Sequence, residues 1–224
     1  MTRREDRTSS ELFDKFSYSS PCKEVIGPEA VLLRDFASAA ASELMAAIAT
    51  VTEVSPFRHM VTRRGFQMSV AMSNCGSVGW VSDRTGYKYA ELDPLTGNSW
   101  PAMPESFRTL AEDAAEHAGF SSFAPDCCLI NRYSPGAKLS LHQDRDEASF
   151  DWPIVSVSLG LSAVFLLGGL DRNDPLRRTE LLSGDVVVWG GVSRLAFHGI
   201  ESLEDGTHRF TGNCRINLTF RRAR

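Results

Sequence analysis

Cys214-Arg215-Ile216-Asn217-Leu218-Thr219-Phe220-Arg221-Arg222, or CRINLTFRR, alternates polar and apolar side chains. In a strand, successive side chains point to opposite faces, so Arg215, Asn217, Thr219 and Arg221 share one side and Ile216, Leu218 and Phe220 the other. Such a strand either turns its polar face to water or lines a small barrel in which the arginines meet an anion, since an unpaired buried guanidinium is costly. Upstream, the same texture runs back to Asp126 in CCLINRYS, IVSVSLG, AVFLLGG, RTELLS and DVVVWGG, punctuated by Gly, Pro and Asp. Helical periodicity does not return after Asp126, which predicts a sandwich or barrel of antiparallel strands.

Ahead of Asp126 the pattern differs. AVLLRDF (Ala30 to Phe36) predicts a strand. An alanine-rich segment from Ser38, a candidate N-cap, to about Val54 predicts a helix, with Leu44, Ala47, Ile48 and Val51 at helical spacing. PESFRTLAEDAAEHAG predicts a second helix, with Pro104 near its start and Gly119 as its C-cap. The two helices are expected to cover one face of a mainly β fold. Residues 1 to about 24 are charged and serine-rich and read as a loose leader, which leaves 25–224 as a single domain.

Composition narrows the function classes. The chain has 224 residues, 42% hydrophobic and 23% charged, as in an ordinary globular protein. No apolar run is long enough to span a membrane, and MTRREDRTSSELF has no secretory apolar core, so a cytoplasmic protein with no membrane partner is expected. Five cysteines without a CxxC pair read as reduced, structural thiols. A net charge of −4 argues against nucleic-acid affinity drawn from a wide basic surface, so any such contact is local.

The chemistry concentrates in Leu141-His142-Gln143-Asp144-Arg145-Asp146-Glu147. His142, Asp144 and Asp146 point the same way in an extended chain. A His-x-Asp pair offers an imidazole nitrogen and a carboxylate oxygen to a metal, and His198 in RLAFHGI, 54 residues after Asp144, is the candidate third ligand. Two histidines and one carboxylate leave half of an octahedral iron site open, the pattern of non-haem Fe(II) oxygenases. The competing account makes His198 a core histidine bonded to a backbone carbonyl and Asp144 a turn residue. In LINRYSPGAKLSLHQD, Asn131 and Tyr133 share a face and offer donors to the anion that the arginines of the last strand require.

With those residues in view, the chain resembles the AlkB family of Fe(II)/2-oxoglutarate-dependent DNA alkylation-repair dioxygenases. The resemblance covers roughly residues 28 to 222 and is carried by SPFRHMVT, MSVAMSNCG, WPAMPESF, CLINRYSPGAKLSLHQDRDE, PIVSVSLGL, GGLDRNDPL, GDVVVWGG and CRINLTFR. It implies a double-stranded β-helix (jelly-roll) core over about 126–222, preceded by helices and a nucleotide-recognition region over about 25–125. It further implies that His142, Asp144 and His198 ligate Fe(II), and that Arg215 pairs with the distal carboxylate of 2-oxoglutarate with help from Asn131 and Tyr133. Arg221 is implied near the chelating end of that co-substrate, with Asn217 and Ser156 in the same pocket. The implied reaction consumes 2-oxoglutarate and O₂, yields succinate and CO₂, and hydroxylates an N-methyl group that then leaves as formaldehyde.

By the same resemblance, Asp146 reads the exocyclic amine of a positively charged lesion, 1-methyladenine or 3-methylcytosine. Trp80 stacks on the extruded base opposite the His142 ring. Met68, Met72 and Tyr87 surround the base and its phosphate, Arg172 sits at the pocket rim, and Thr62 and Lys138 contact the nucleic-acid backbone. Departures cluster at the outer rim: Arg63-Arg64 replaces small turn residues, Phe66 stands where tyrosine is usual, and Val81-Ser82-Asp83 differs. The expected substrate is alkylated single-stranded DNA, with double-stranded DNA or RNA as extensions, and a monomer is expected. The alternatives are a related hydroxylase acting on RNA, protein or a small molecule, and a jelly-roll module that binds without turnover.

Overall fold

The structure, a computed structural model, describes residues 22–224. Most of the expected leader, residues 1–21, lies outside the described residues. A strand already begins at Lys23, inside the expected leader. In chain order the elements are β1 (Lys23–Gly27), β2 (Ala30–Leu33), α1 (Ala41–Val54), β3 (Arg58–Val61), β4 (Gln67–Gly76), β5 (Gly79–Asp83) and β6 (Gly86–Ala90). There follow α2 (Glu105–Ala118), β7 (Cys127–Tyr133), β8 (Leu139–His142), β9 (Ile154–Gly160), β10 (Ala163–Leu167), β11 (Arg177–Leu181), β12 (Val186–Trp189), β13 (His198–Ile200) and β14 (Arg215–Arg221).

Eight strands form a major sheet in the order β1-β2-β12-β9-β14-β7-β4-β3, four form a minor sheet in the order β11-β10-β13-β8, and β5 and β6 form a separate hairpin. Among the described residues every pairing is antiparallel, and the two larger sheets enclose one apolar layer, as the jelly-roll expectation requires. The first half of the chain is built into this architecture, because β1 and β2 extend one edge of the major sheet and β3 and β4 the other.

Strand alternation explains how the major sheet serves two layers at once. Ile216, Leu218 and Phe220 of β14, Cys128 and Ile130 of β7, and Val155, Val157 and Leu159 of β9 face α1 and α2 in one core. The opposite faces of the same strands present Arg215, Asn217, Thr219, Arg221, Asn131, Tyr133 and Ser156 to the space between the sheets. Burying the apolar face therefore points the polar face inward, since a one-residue slip would reverse every side chain.

Both expected helices are present. Gly119 ends α2 in the left-handed conformation at φ +101°, and Pro104 precedes its first turn. The N-cap of α1 is Ala40 rather than Ser38. Asp35 turns the chain at φ +58°, and the Ser38 hydroxyl donates to the Asp35 carboxylate, so it is spent one turn too early to cap the helix. Strands β3 to β6 have no counterpart in the sequence reading. Their residues mix polar and apolar types, and only β4, held against β7 from Ala71 to Gly76, has a long partner. All five cysteines are free, with Cys75, Cys127 and Cys128 buried. No helix among the described residues is long and apolar enough to cross a membrane.

Candidate metal and co-substrate centre

Strands β8 and β13 pair with His142 directly opposite His198, which brings residues 56 apart in sequence to a ring separation of 4.4 Å. Strand β8 ends at His142, and the chain continues without regular structure, so Asp144 and Asp146 lie on its extended continuation. Asp144 Oδ1 stands 3.6 Å from His142 Nε2, and Oδ2 stands 3.8 Å from His198 Nε2. Ligand bonds of about 2.1 Å at right angles would hold neighbouring donor atoms about 3 Å apart, so a small inward movement completes a metal site.

The tautomers also fit. Nδ1–H of His142 donates to the Ser140 carbonyl at 2.9 Å, and Nδ1–H of His198 donates to the Ala196 carbonyl at 3.0 Å. A carbonyl only accepts, so each Nδ1 carries the proton and each Nε2 keeps its lone pair for a metal. Burial, followed by the neighbouring His142, pushes the His198 imidazole down to about 4, which keeps it neutral at physiological pH. Burial alone would raise the Asp144 carboxyl. The charge and hydrogen bonds of Arg221 override it and hold the group well below the usual carboxylate range.

The second half of the site is a buried cation without a counter-ion among the described residues. Arg215 is 0% exposed, its guanidinium lies over the Tyr133 ring at 5.1 Å, and Nη2 donates to the Ser158 hydroxyl at 3.0 Å. Its Nε and Nη1 have no partner among the described residues. A buried guanidinium with two unpaired donors calls for an anion, and a carboxylate supplies both the charge and the acceptor oxygens. Asn217 is tied to the Ser156 hydroxyl at 2.8 Å, and Asn131 Nδ2 donates to Asn217 Oδ1 at 3.3 Å, so the amides beside Arg215 are held in place.

The site opens into a cavity of about 470 Å³. Its lining includes Trp80, Tyr87, Met68, Met72, Thr62 and Lys138. Trp80 stacks on Tyr87 with ring centroids 5.5 Å apart and planes 15° from parallel, and its indole N–H donates to Asp146 Oδ2 at 3.1 Å. Arg172 is not brought to the cavity. Its guanidinium lies over Phe197 on an exposed loop, 5.6 Å from the ring centroid.

Beneath Asp144 lies a network that sequence reasoning missed. Arg221 Nε donates to Asp144 Oδ2 at 2.9 Å and lies 3.3 Å from Glu147 Oε1, which also accepts the Tyr89 hydroxyl at 2.8 Å. Arg194 Nη2 stands 3.2 Å from the other Glu147 oxygen, while Nη1 donates to the Asp144 carbonyl and Nε to the Trp152 carbonyl. Glu147 thus ties the β5–β6 hairpin to the loop that carries Asp144. Its place one residue after Asp146 was the available signal, but an acid in a charged run ordinarily faces water.

Residues 29–221 match the model of the 2OG-Fe(II) oxygenase superfamily. The chain belongs to the AlkB family of Fe(II)/2-oxoglutarate-dependent dioxygenases. It is 57% identical over 212 residues to the alpha-ketoglutarate-dependent dioxygenase AlkB of Escherichia coli K12, covering 95% of this chain and 98% of that protein. Identity to the Caulobacter vibrioides homologue is 46% over 182 residues, 81% of each chain. Among solved structures, that of OsALKBH1 superposes with a TM-score of 0.79 at 29% identity, covering 90% of this chain and all of that one. The protein is therefore an enzyme that uses Fe(II), 2-oxoglutarate and O₂, and the donor set of the triad and the unpaired face of Arg215 fit those groups.

Proposed function

We propose that the protein repairs DNA by direct reversal, removing methyl groups from 1-methyladenine and 3-methylcytosine, with single strands preferred and RNA as a further substrate. The observation that carries this reading is the cavity mouth, where an aromatic ring is pinned to a carboxylate above the metal-ligand triad. N-alkylated adenine and cytosine are cations, so Asp146 favours them over the neutral bases. Trp80 supplies a π-face for a base that has left its stack, with the His142 ring opposite. A flipped base is more cheaply presented from a single strand. The 57% identity to a dioxygenase named AlkB supports the same reading.

In this proposal His142, Asp144 and His198 hold iron. Arg215, with Asn131 and Tyr133, takes the distal carboxylate of 2-oxoglutarate, while Arg221, Asn217 and Ser156 line its other end. Bound iron with 2-oxoglutarate and O₂ supplies an oxidation that places one oxygen atom in a C–H bond of the N-methyl group and leaves succinate and CO₂. The hydroxymethyl product then releases formaldehyde and restores the base. Met68, Met72 and Tyr87 enclose the base, and Thr62 and Lys138 meet the backbone beside it. Residues 25–224 act as one catalytic unit, with about 25–125 recognising the nucleotide and about 126–222 carrying the chemistry. We assign the protein as a monomer of the cytoplasm.

The test is incubation with oligonucleotides carrying 1-methyladenine or 3-methylcytosine, as DNA and as RNA, with and without 2-oxoglutarate, followed by mass measurement. Loss of one methylene unit only when 2-oxoglutarate is present is the expected result. An unchanged mass on every nucleic acid, with iron and co-substrate supplied, overturns the reading.

A further inference from the structure

Two turns stand side by side at the cavity mouth. In the first, between β3 and β4, Gly65 at φ +82° donates its N–H to the Thr62 carbonyl at 2.7 Å, and Thr62 N–H donates to the Phe66 carbonyl at 2.8 Å. Arg63 and Arg64 occupy the central positions of this turn, and both side chains are exposed. In the second, between β5 and β6, exposed Arg84 reaches the first: its Nε and Nη2 lie 3.6 Å from where a Cβ on Gly65 would stand.

Three cations therefore gather at one corner of a protein with net charge −4, and none pairs with an acidic side chain among the described residues. Asp83 is the adjacent acid, but it accepts the Thr85 N–H at 2.7 Å and stands 3.7 Å from Lys88. Uncompensated like charges repel, and a bound anion reverses that cost. Phe66, 68% exposed, projects from the same turn, and Tyr87, 48% exposed, from the strand beside it. Thr62 lines the cavity, so Arg63 begins about 3.8 Å further along the chain, within reach of phosphates next to a nucleotide seated inside.

We propose that Arg63, Arg64, Arg84 and Phe66 form a contact site, outside the cavity, for the strand that flanks the damaged nucleotide. The arginines take its phosphates, and Phe66 stacks on a neighbouring base. The composition of the corner suits single-stranded nucleic acid: clustered guanidiniums for the backbone, and an exposed ring that accepts any base. It also reconciles nucleic-acid binding with an acidic protein, because the positive charge is concentrated where the strand must pass. The inference rests on the nucleic-acid reading above.

The test compares native protein with Arg63→Ala/Arg64→Ala, Arg63→Lys/Arg64→Lys and Phe66→Ala. Binding of a single-stranded oligonucleotide is followed by fluorescence anisotropy across about 50 to 200 mM salt, where each lost phosphate contact lowers the slope of log affinity against log salt by about 0.7. The double alanine variant should lose about 1.4 of slope, the double lysine variant should retain it, and Phe66→Ala should weaken binding at every salt concentration without changing the slope. Turnover of a methylated mononucleotide, which has no flanking strand, should match native in all three.

An unchanged slope in the double alanine variant overturns the inference. So does an equal loss on the mononucleotide, which would make the turns part of the cavity, or tight binding to anionic phospholipid vesicles with none to the oligonucleotide. Native protein that binds the oligonucleotide with the expected slope yet turns over no methylated nucleotide would overturn the repair reading and leave this site standing.

Discussion

Arg215 carries the clearest demand of any single residue, because its buried guanidinium meets no charge of opposite sign among the described residues. Arg215→Lys keeps the charge but loses the planar fork, at a cost of about 1.5–3 kcal/mol in co-substrate binding. KM for 2-oxoglutarate should rise about ten- to a hundredfold with a smaller change in kcat, read by succinate release. An unchanged KM would place the co-substrate elsewhere. Asp146 has a separable task, since its carboxylate is held by Trp80 beyond the metal-ligand triad. Asp146→Ala should retain 2-oxoglutarate turnover without nucleic acid and lower demethylation by roughly tenfold or more. Equal loss of both activities would put Asp146 among the iron ligands. Glu147 holds two buried arginines and a tyrosine. Glu147→Gln leaves Arg194 without an anionic side-chain partner among the described residues and Arg221 with Asp144 alone, and should destabilise the fold by about 3–5 kcal/mol in urea unfolding. A midpoint equal to native would show that Asp144 alone balances Arg221.

At the scale of elements, β4 meets β7 where Gly76 takes φ +120°, and a Cβ there would stand 2.3 Å from the Asp126 carbonyl oxygen. Backbone rather than a mobile side chain is in the way. Gly76→Ala should therefore cost at least about 2 kcal/mol, measured by thermal or urea unfolding, and a native-like midpoint would show that the β4–β7 edge yields easily. The elements also differ in how legible they were. Strands β7, β9, β12 and β14 and helix α2 show in the sequence because each has one consistently apolar face or a clear stop signal. Strands β3, β5 and β6 do not, because they lie at an edge or in a separate hairpin, where polar residues are tolerated. Ser38 misled for a related reason: a hydroxyl can serve a turn as readily as a helix end, and Asp35 claims it first.

Across the whole molecule the major sheet separates two tasks. One face packs α1 and α2, and the other lines the cavity. Phe107, fully buried and edge-on to Phe220 at 5.9 Å, belongs wholly to the first layer. Phe107→Ala should destabilise by about 3–5 kcal/mol while leaving KM for 2-oxoglutarate within about twofold of native at a temperature where the variant stays folded. A large rise in KM would show that the helix layer shapes the site through the sheet. The sequence by itself determined that the second half is built of alternating antiparallel strands, that β14 has one polar face carrying Arg215 and Arg221, and that His142, Asp144 and His198 are candidate metal ligands, a set singled out by the resemblance to the AlkB family. The strands and their shared faces follow from period-two alternation, whereas the ligand set follows from the resemblance. Only the tertiary structure decided that Glu147 is buried, that Arg172 stands apart from the cavity, and that Arg84 reaches the turn that carries Arg63 and Arg64. Each depends on contacts between residues distant in sequence, and no local pattern records which of the available partners a charged side chain will find.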